Sequence, residues 1–324
     1  MQHADVVVIG AGVAGLTAAM IAAGHGVSTH VVEQLAPGGQ VATIEKVQNL
    51  PGFPDGSIAG YELGPLLQQQ AEAAGALVQL DSVSAVAAGD GVYRVICAEE
   101  EIVARAVIIA AGSSLRKLGI SGEAEFTGRG VSHCASCDGP LFKGQPVTVV
   151  GGGDSAFDEA LVLAGYASEV TVIHRGSAPS ARPAAIAQLA ALPNVRILAD
   201  AEVVVIEGDT RVTGVAIRRG AETEHRPCRA VFAYTGLEPR SSFLQGIVAL
   251  DAGGHILTDL MMRASRPGLF AAGDIRAGSV RLLASVAGDA ATAAISAVRY
   301  LQTARDNNKR DWEGDAFWRC RAKP

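Results

Sequence analysis

The chain has 324 residues, a formal net charge of -6 and an isoelectric point near 5.7. That length allows two α/β domains with separate cores, and 49% hydrophobic residues with 38 glycines indicate a folded rather than a disordered chain. The acidic balance, without a long basic run, argues against a nucleic-acid surface. We expect no membrane span, because the uncharged run at 6–24 is broken by glycines and no Lys or Arg precedes it.

The cysteine count favours a reducing compartment. Five cysteines are an odd number in a chain of this size without a secretory signal, which disfavours a structural disulfide framework. We therefore expect a cytoplasmic protein. The five are Cys97, Cys134, Cys137, Cys228 and Cys320.

The first predicted element is a buried strand at 6–9, which leads through a glycine-rich turn at 10–15 into a helix at 16–23. In such a unit the first glycine permits the turn, the second lets the backbone approach a pyrophosphate, and the third lets helix and strand pack closely. A second strand at 28–32 ends at Glu33, whose carboxylate would accept a hydrogen bond from a ribose hydroxyl. The residues assigned to this dinucleotide site are Gly10, Gly12, Ala14, Gly15 and Glu33.

The same pattern recurs later in the chain. A strand at 146–150 is followed by a glycine-rich turn at 151–156 and a helix at 157–164. A second dinucleotide site is therefore predicted. The residues of its turn that we assign to the cofactor are Gly151, Gly153, Asp154, Ser155 and Ala156.

The next predicted strand, at 169–173, ends in His174 and Arg175 rather than in an acidic residue. A cation at this position favours the 2′-phosphate of NADP over the bare ribose of NAD. Arg182 is a candidate for a second phosphate ligand. The alternative is a solvated loop, because the intervening residues are mainly Ser, Ala and Pro.

A CxxC pair, Cys134 and Cys137, lies just before the second dinucleotide unit. Two thiols at this spacing can close a small disulfide ring, and local electrostatics can favour the thiolate that attacks another disulfide. Asp138 is adjacent and is the candidate for moving the proton that this exchange requires. His133 also adjoins the pair and could influence the thiolate.

Zinc is the alternative reading of this pair, because a CxxC is half of a tetrahedral site and His225 with Cys228 could supply the other half. Two dinucleotide motifs call instead for electron transfer, and a zinc site would leave them unexplained. We therefore predict no metal ion. Cys97 and Cys228 are predicted to be buried, small apolar residues.

The first dinucleotide domain needs more strands than residues 1–112 supply, and candidates follow at 255–258 and 268–272. The predicted fold class is therefore α/β, with two Rossmann-like dinucleotide-binding domains, the second inserted into the first. The predicted boundaries are 1–114 and 243–301 for the outer domain, 115–242 for the inserted domain and 302–324 for a C-terminal extension.

These motifs together resemble the low-molecular-weight thioredoxin reductases over nearly all of residues 3–301. The resemblance implies FAD in the outer domain, NADPH or possible NADH in the inserted domain, a homodimer, and thioredoxin or a thioredoxin-like protein as partner. It also implies a rotation of one domain against the other during turnover. The matching segments are residues 10–15, 38–40, 49–54, 110–112, 118–123, 134–139, 151–159 and 271–274.

The family pattern also assigns individual residues. By position, Cys137 would face the flavin and Cys134 would attack the substrate disulfide. Asp274 would bind the ribityl chain of FAD, and Gln40 and Asn49 would approach the flavin. The remaining residues assigned to the cofactors by this resemblance are Gly39, Gly112, Gly273, Arg281, Leu282 and Leu283.

The chain departs from the family at three places. Gly176 follows Arg175 where the family usually has a second arginine, which leaves the preference between NADPH and NADH open. Leu282 stands where the family usually has a glutamine near the flavin and cannot donate that hydrogen bond. Beyond residue 301 the chain continues with an extension that is either disordered or covers a flavin, and in which Cys320 could relay electrons. The aromatic residues of that extension are Trp312, Phe317 and Trp318.

Two other functions remain open at this point. One keeps the flavin and the dithiol but makes the protein a dithiol oxidase or a ferredoxin-linked disulfide reductase with a weakened nicotinamide site. The other is a non-catalytic, flavin-binding or redox-sensing module. The intact second glycine motif favours the NADPH-dependent reductase over the first of these. Turnover of a disulfide at about one per second or more would exclude the second.

Overall fold

The computed structural model describes residues 1–44, 47, 50–53, 58–89 and 91–305. The chain forms two compact units. Unit 1 comprises Met1–Ser114 and the chain from Glu238 onward, and unit 2 comprises Leu115–Leu237. Unit 2 is therefore inserted into unit 1 along the sequence.

The described residues form the following strands: β1 (Gln2–Ile9), β2 (Thr29–Glu33), β3 (Leu77–Leu80), β4 (Val83–Ala88), β5 (Tyr93–Cys97), β6 (Glu101–Ile109), β7 (Ser113–Leu115), β8 (Val131–Ser132), β9 (Pro146–Val150), β10 (Glu169–Ile173), β11 (Val195–Leu198), β12 (Glu202–Gly208), β13 (Val212–Arg219), β14 (Glu222–Pro227), β15 (Ala230–Ala233), β16 (Leu237–Pro239) and β17 (Leu269–Ala271). The α-helices of the same residues are α1 (Val13–Gly24), α2 (Gly60–Ala73), α3 (Glu123–Phe126), α4 (Ala135–Asp138), α5 (Asp154–Ala164), α6 (Pro183–Ala190) and α7 (Leu283–Arg305). Short 3-10 turns lie at Gly39–Thr43, Gly139–Phe142, Ser242–Leu244 and Gly273–Ile275.

Unit 1 is built on a sheet whose parallel part has the order β3-β2-β1-β6. The C-terminal half of β6 pairs in parallel with β17, and its N-terminal half pairs with β5, which continues antiparallel to β4. The strand predicted at 268–272 therefore does complete the sheet begun by the N-terminal residues. The strand predicted at 255–258 is wrong, because Ile256 instead forms isolated bridges with Leu250 and Arg276 in adjoining loops.

The central strand β1 has a hydrophobic core on each of its faces. Val6 and Val8 are fully buried in a cluster with the alanine-rich faces of α1 and α7. Val7 and Ile9 point into a second cluster on the opposite face. A parallel strand covered on both faces reads as an uninterrupted apolar run, which is why the sequence predicts β1 without alternation.

Unit 2 contains a parallel sheet of the order β11-β10-β9-β15-β8 and a separate antiparallel sheet, β12-β13-β14. Helix α5 follows β9 and packs with it in a core that includes Phe157, Leu163 and Phe232. Strands β9 and β10 match the segments predicted from the sequence. The predicted α/β class with two Rossmann-like domains, one inserted into the other, is confirmed. Within the described residues, no helix is both long and apolar enough to cross a membrane.

Candidate active site

The glycine turn between β1 and α1 is shaped by close backbone approaches at two of its three glycines. Gly10 has φ +102°, and a Cβ there would lie 2.6 Å from the carbonyl oxygen of Ala110. A Cβ on Gly15 would overlap the carbonyl oxygen of Gly10. The first glycine therefore provides a backbone conformation and a close approach, and the third lets α1 pack against β1.

Gly12 differs from its two neighbours in the motif. A Cβ built on Gly12 would meet no protein atom nearer than the Cα of Gly39, at 3.9 Å. Gly39 approaches from a second loop, which is held by the Gly38 amide donating to the carbonyl oxygen of Ala11 at 2.8 Å. The space at the start of α1 is thus bounded by bare backbone rather than by side chains, as a bound pyrophosphate requires.

Glu33 lies at the carboxyl end of β2, beside this turn. One of its carboxylate oxygens accepts from the Ala11 amide at 2.7 Å and the other from the Leu35 amide at 3.0 Å. A cleft of about 820 Å³ in unit 1 is lined by Gly10, Glu33 and residues from several loops, including Arg240. This volume is within the range of small-molecule sites, so the residues present fit a nucleotide.

A chain of hydrogen bonds links two further predicted residues of unit 1. The Gln40 side-chain amide donates to the carbonyl oxygen of Ser113 at 2.7 Å, and the Ser113 hydroxyl donates to the carbonyl oxygen of Asp274 at 3.2 Å. The Asp274 carboxylate accepts from the Ser279 hydroxyl at 3.1 Å. A Cβ on Gly273 would lie 3.0 Å from that of Ala14, so this loop lies against the start of α1.

The remaining predicted residues of unit 1 lie in loops or at a helix start. Gly112 has φ +63°, and its carbonyl oxygen accepts from the Arg240 amide. Arg281 has φ +56° and is exposed, Leu282 is half exposed, and Leu283 begins α7. The predicted residues outside the described part of the chain are Asn49, Trp312, Phe317, Trp318 and Cys320.

The second glycine turn, between β9 and α5, repeats the first. Gly151 has φ +147°, and a Cβ there would overlap the carbonyl oxygen of Tyr234 and lie 2.9 Å from the Cβ of Ala156. Around Gly153 the nearest protein atom to an added Cβ is the Ser180 hydroxyl oxygen, at 3.8 Å. The middle of this turn is therefore open as well. Asp154 and Ser155, both exposed, begin α5.

The three basic residues predicted for the NADP phosphate occupy different surroundings. His174 is only 5% exposed, and its Nε2 has no hydrogen-bond partner. Arg175 has a largely exposed side chain that lies 3.8 Å from the Glu202 carboxylate. Arg182 forms a two-pronged ion pair with Asp158 at 2.7 and 2.8 Å.

The dithiol lies at the start of α4. Cys134 and Cys137 form a disulfide with their Cα atoms 5.3 Å apart. The Cys137 amide donates to the Cys134 sulfur at 3.2 Å, and the Asp138 amide donates to the Cys134 carbonyl oxygen at 3.1 Å. Cys137 is exposed, whereas Cys134 and Asp138 are half-buried. His133, next to the pair, donates from Nδ1 to the carbonyl oxygen of Ala233 at 2.9 Å.

Two residues beside the dithiol are not among those predicted from the sequence. The Ala135 amide donates to the Glu159 carboxylate at 2.9 Å and lies 3.1 Å from the Tyr234 hydroxyl, which itself donates to Glu159 at 3.2 Å. Burial, followed by the nearby Glu159 charge, raises the pKa of Tyr234, so its hydroxyl stays protonated. The available sequence signal was weak, because Glu159 and Tyr234 are 75 residues apart.

The zinc alternative is not supported by the surroundings of its residues. His225 instead donates to the Glu207 carboxylate at 2.6 Å. Cys228 is 1% exposed, and burial raises the pKa of its thiol to about 11. Burial likewise raises the pKa of Cys97 to about 11, and the prediction that both are buried is confirmed. Among the described residues, no group of three or more His, Cys, Asp or Glu side chains could hold a metal ion.

Comparison with known proteins identifies the family. Residues 4–297 match the family of pyridine nucleotide-disulphide oxidoreductases. The chain is 38% identical over 301 residues to a thioredoxin reductase of Treponema pallidum, covering 92% of this chain and 97% of the relative. It is 39% identical over 311 residues to a thioredoxin reductase of Bacillus subtilis, covering 94% and 97%.

A solved structure agrees with the sequence relatives. The crystal structure of Lactococcus lactis thioredoxin reductase superimposes with a TM-score of 0.87 at 34% identity, covering 92% of this chain and 99% of that one. The family match to residues 4–297 includes both glycine turns and the dithiol, the features from which the resemblance was inferred. The chain belongs to the pyridine nucleotide-disulphide oxidoreductases and, among them, to the thioredoxin reductase family.

Proposed function

We propose that this protein reduces the disulfide of thioredoxin, or of a thioredoxin-like protein, with electrons from NADPH that pass through FAD and the Cys134–Cys137 pair. The observation that carries the proposal is the Cys134–Cys137 disulfide at the start of α4, in a chain with two open glycine turns. The oxidase and ferredoxin-linked alternatives are not favoured, because two relatives that are 38–39% identical over 92–94% of this chain are thioredoxin reductases.

The turn of unit 1 is the proposed FAD site. Gly12 and Gly39 leave the space for the pyrophosphate, and Glu33 would accept from a ribose hydroxyl. The bridge from Gln40 through Ser113 to the Asp274 loop would hold the ribityl side of the cofactor. The other proposed FAD contacts are Gly10, Ala14, Gly15, Asn49, Gly112, Gly273, Arg281, Leu282 and Leu283.

The turn of unit 2 is the proposed NADPH site. Gly153 leaves the pyrophosphate space, and the amides of Asp154 and Ser155 lie in the first turn of α5, where the helix dipole favours an anion. Arg175 and Arg182 are the proposed ligands of the 2′-phosphate, while His174 packs against Gly152. Since Gly176 supplies no further cation, NADH remains a possible second donor. The other proposed contacts of this turn are Gly151 and Ala156.

The bound cofactors supply two electrons, which reduce the disulfide to a dithiol. In the proposed exchange the Cys134 thiolate attacks one sulfur of the partner disulfide, forming a mixed disulfide and releasing the other partner sulfur. Cys137 then attacks Cys134, which restores the internal disulfide and releases the second partner sulfur. The two protons of the enzyme dithiol end on the partner sulfurs. Asp138 is the proposed group through which they pass.

The Cys137 amide supports this order of attack, because its hydrogen bond to the Cys134 sulfur stabilises negative charge there. We further propose that the protein works as a homodimer in the cytoplasm. The buried thiols of Cys97 and Cys228 are consistent with a reducing compartment.

Single cysteine variants test the proposed exchange. Cys137→Ser leaves Cys134 without its resolving partner, so it should accumulate a mixed disulfide with thioredoxin that survives non-reducing electrophoresis. Cys134→Ser should form much less of it. Both variants should lose thioredoxin reduction while keeping the yellow flavin. A stable mixed disulfide on Cys137 alone would reverse the two roles, and thioredoxin turnover by either variant would overturn the proposal.

A further inference from the structure

The first peptide of the dithiol helix is held by a carboxylate. Ala135, which follows Cys134, is fully buried, and its amide donates to Glu159 on α5 at 2.9 Å. The Tyr234 hydroxyl, directly after β15, lies 3.1 Å from the same amide and donates to the same carboxylate oxygen at 3.2 Å. Three elements of unit 2 thus meet at the peptide next to the redox sulfur.

This carboxylate has an electrostatic consequence for the thiols. The Ala135 amide, which could otherwise stabilise negative charge on the neighbouring sulfur, is already engaged by an anion. A carboxylate this close to Cys134 disfavours a second negative charge on the sulfur. The reduced pair is then less stable relative to the disulfide, and a pair whose reduced form is less stable is a stronger reductant.

Tyr234 keeps the carboxylate in place. Its pKa is raised by burial and by Glu159, so the hydroxyl stays protonated and can donate to the carboxylate. Other titratable groups of the described residues near the pair include Asp138 on α4, which also raises the pKa of Tyr234, His133, and Tyr166, whose ring lies 3.2 Å from a Cβ built on Gly139. Since the His133 ring donates to a carbonyl oxygen, Glu159 is the anion that directly contacts the helix backbone.

We propose that Glu159 and Tyr234 are positioning residues of the redox pair: Glu159 fixes the first peptide of α4, and its charge makes the Cys134–Cys137 dithiol a stronger reductant. Tyr234 holds the carboxylate in that position. The inference rests on the proposed role of the dithiol as electron donor to a protein disulfide. Beyond that role, it identifies Glu159 and Tyr234 as the residues that set the reducing strength of the dithiol.

Thiol reactivity in the FAD-loaded full chain tests this inference. The protein is reduced with a phosphine and alkylated with iodoacetamide across a range of pH, and the modified Cys134 and Cys137 peptides are quantified by mass spectrometry. Glu159→Gln keeps an acceptor for the Ala135 amide but removes the charge. It should move the alkylation profile to lower pH and speed alkylation at neutral pH by about three- to tenfold.

A redox buffer measures the same effect at equilibrium. Against glutathione at a pH above the thiol pKa, where the reduced pair carries a thiolate, Glu159→Gln should shift the balance from disulfide toward dithiol by about three- to tenfold. Glu222→Gln, at an exposed position on β14, removes one charge far from the pair's contacts and is the matched control. It should leave both measurements unchanged.

Tyr234→Phe distinguishes the effect of the Glu159 charge from the effect of a less firmly held α4. It removes a donor but leaves the carboxylate charged, so the alkylation profile should not move to lower pH. The inference is overturned if Glu159→Gln matches the parent, or if both variants accelerate alkylation equally. Thioredoxin turnover by the parent is measured separately, so that failure of the proposed function is distinguished from failure of this inference.

Discussion

At the scale of single residues, the three glycines of the turn between β1 and α1 have different roles. Gly10 and Gly15 are required by the protein's own backbone, since a Cβ on either would collide with a carbonyl oxygen. Around Gly12 the protein leaves room for a methyl group. The sequence predicts all three as one motif, but the sequence alone does not separate the glycines that the fold needs from the one that a ligand needs.

Gly12→Ala should therefore weaken FAD binding more than it weakens the fold. We expect the apo-protein to unfold at nearly the parental temperature, because the nearest atom to the new Cβ is 3.9 Å away. The dissociation constant for FAD, measured by flavin fluorescence, should rise about tenfold or more, which corresponds to roughly 1.4 kcal/mol. Gly24→Ala, which meets no atom within 4 Å at the end of α1, is the control and should leave the FAD dissociation constant unchanged. A Gly12→Ala protein with parental FAD affinity would contradict the pyrophosphate assignment.

His174 shows a limit of reading residues from sequence. Its place directly after β10 predicts a surface cation for a phosphate, whereas the structure places it at 5% exposure with its Cβ close to Gly152. The buried position of His174 is made possible by Gly152, which is 22 positions away and leaves room for it. The residues next to His174 in the sequence do not indicate this contact. His174 as a phosphate ligand stays a prediction.

At the scale of elements, the strands and helices that have unbroken apolar runs could be predicted from the sequence. β1, β9, β10 and α5 follow from buried runs and glycine turns. The antiparallel sheet β12-β13-β14 and the Glu159–Tyr234 pair were not, because they depend on contacts distant in sequence. The strand order explains how the pair forms. Strands β9 and β15 are parallel neighbours, so α5, which follows β9, and Tyr234, which follows β15, both lie near the carboxyl ends of these strands.

The contact between α5 and the start of α6 predicts how the chain discriminates nucleotides. Arg182 is paired with Asp158 and Asp154, and a 2′-phosphate must compete with those carboxylates for the guanidinium. Asp158→Asn should tighten binding of adenosine 2′,5′-bisphosphate by about two- to fivefold, the range expected for a partly exposed ion pair. Binding of AMP, which lacks the 2′-phosphate, should stay nearly constant. Calorimetric titration measures both.

The control for that measurement is again Glu222→Gln, which changes the net charge equally without touching Arg182. Arg182→Ala should weaken binding of adenosine 2′,5′-bisphosphate while leaving binding of AMP nearly constant. Equal changes for the two nucleotides in Asp158→Asn would mean that Arg182 does not reach the 2′-phosphate.

At the scale of the whole molecule, the insertion of one dinucleotide unit into the other was predictable, because two complete strand–turn–helix patterns lie in the chain with sheet strands after both. The return to unit 1 falls between Leu237 and Glu238, within the three-residue strand β16. So short a strand leaves little trace in the sequence, and this is why the second crossing could be placed only within a few residues.

The central claim is that electrons enter from NADPH and leave through the dithiol to a thioredoxin-type disulfide. It is tested most directly by an anaerobic absorbance spectrum of the FAD-loaded protein mixed with NADPH, and separately with NADH, followed by oxidised thioredoxin. We predict that NADPH bleaches the flavin absorbance and that thioredoxin restores it, with NADH acting more slowly. A flavin that neither nicotinamide bleaches would contradict the account and would favour a ferredoxin-linked or oxidase function instead.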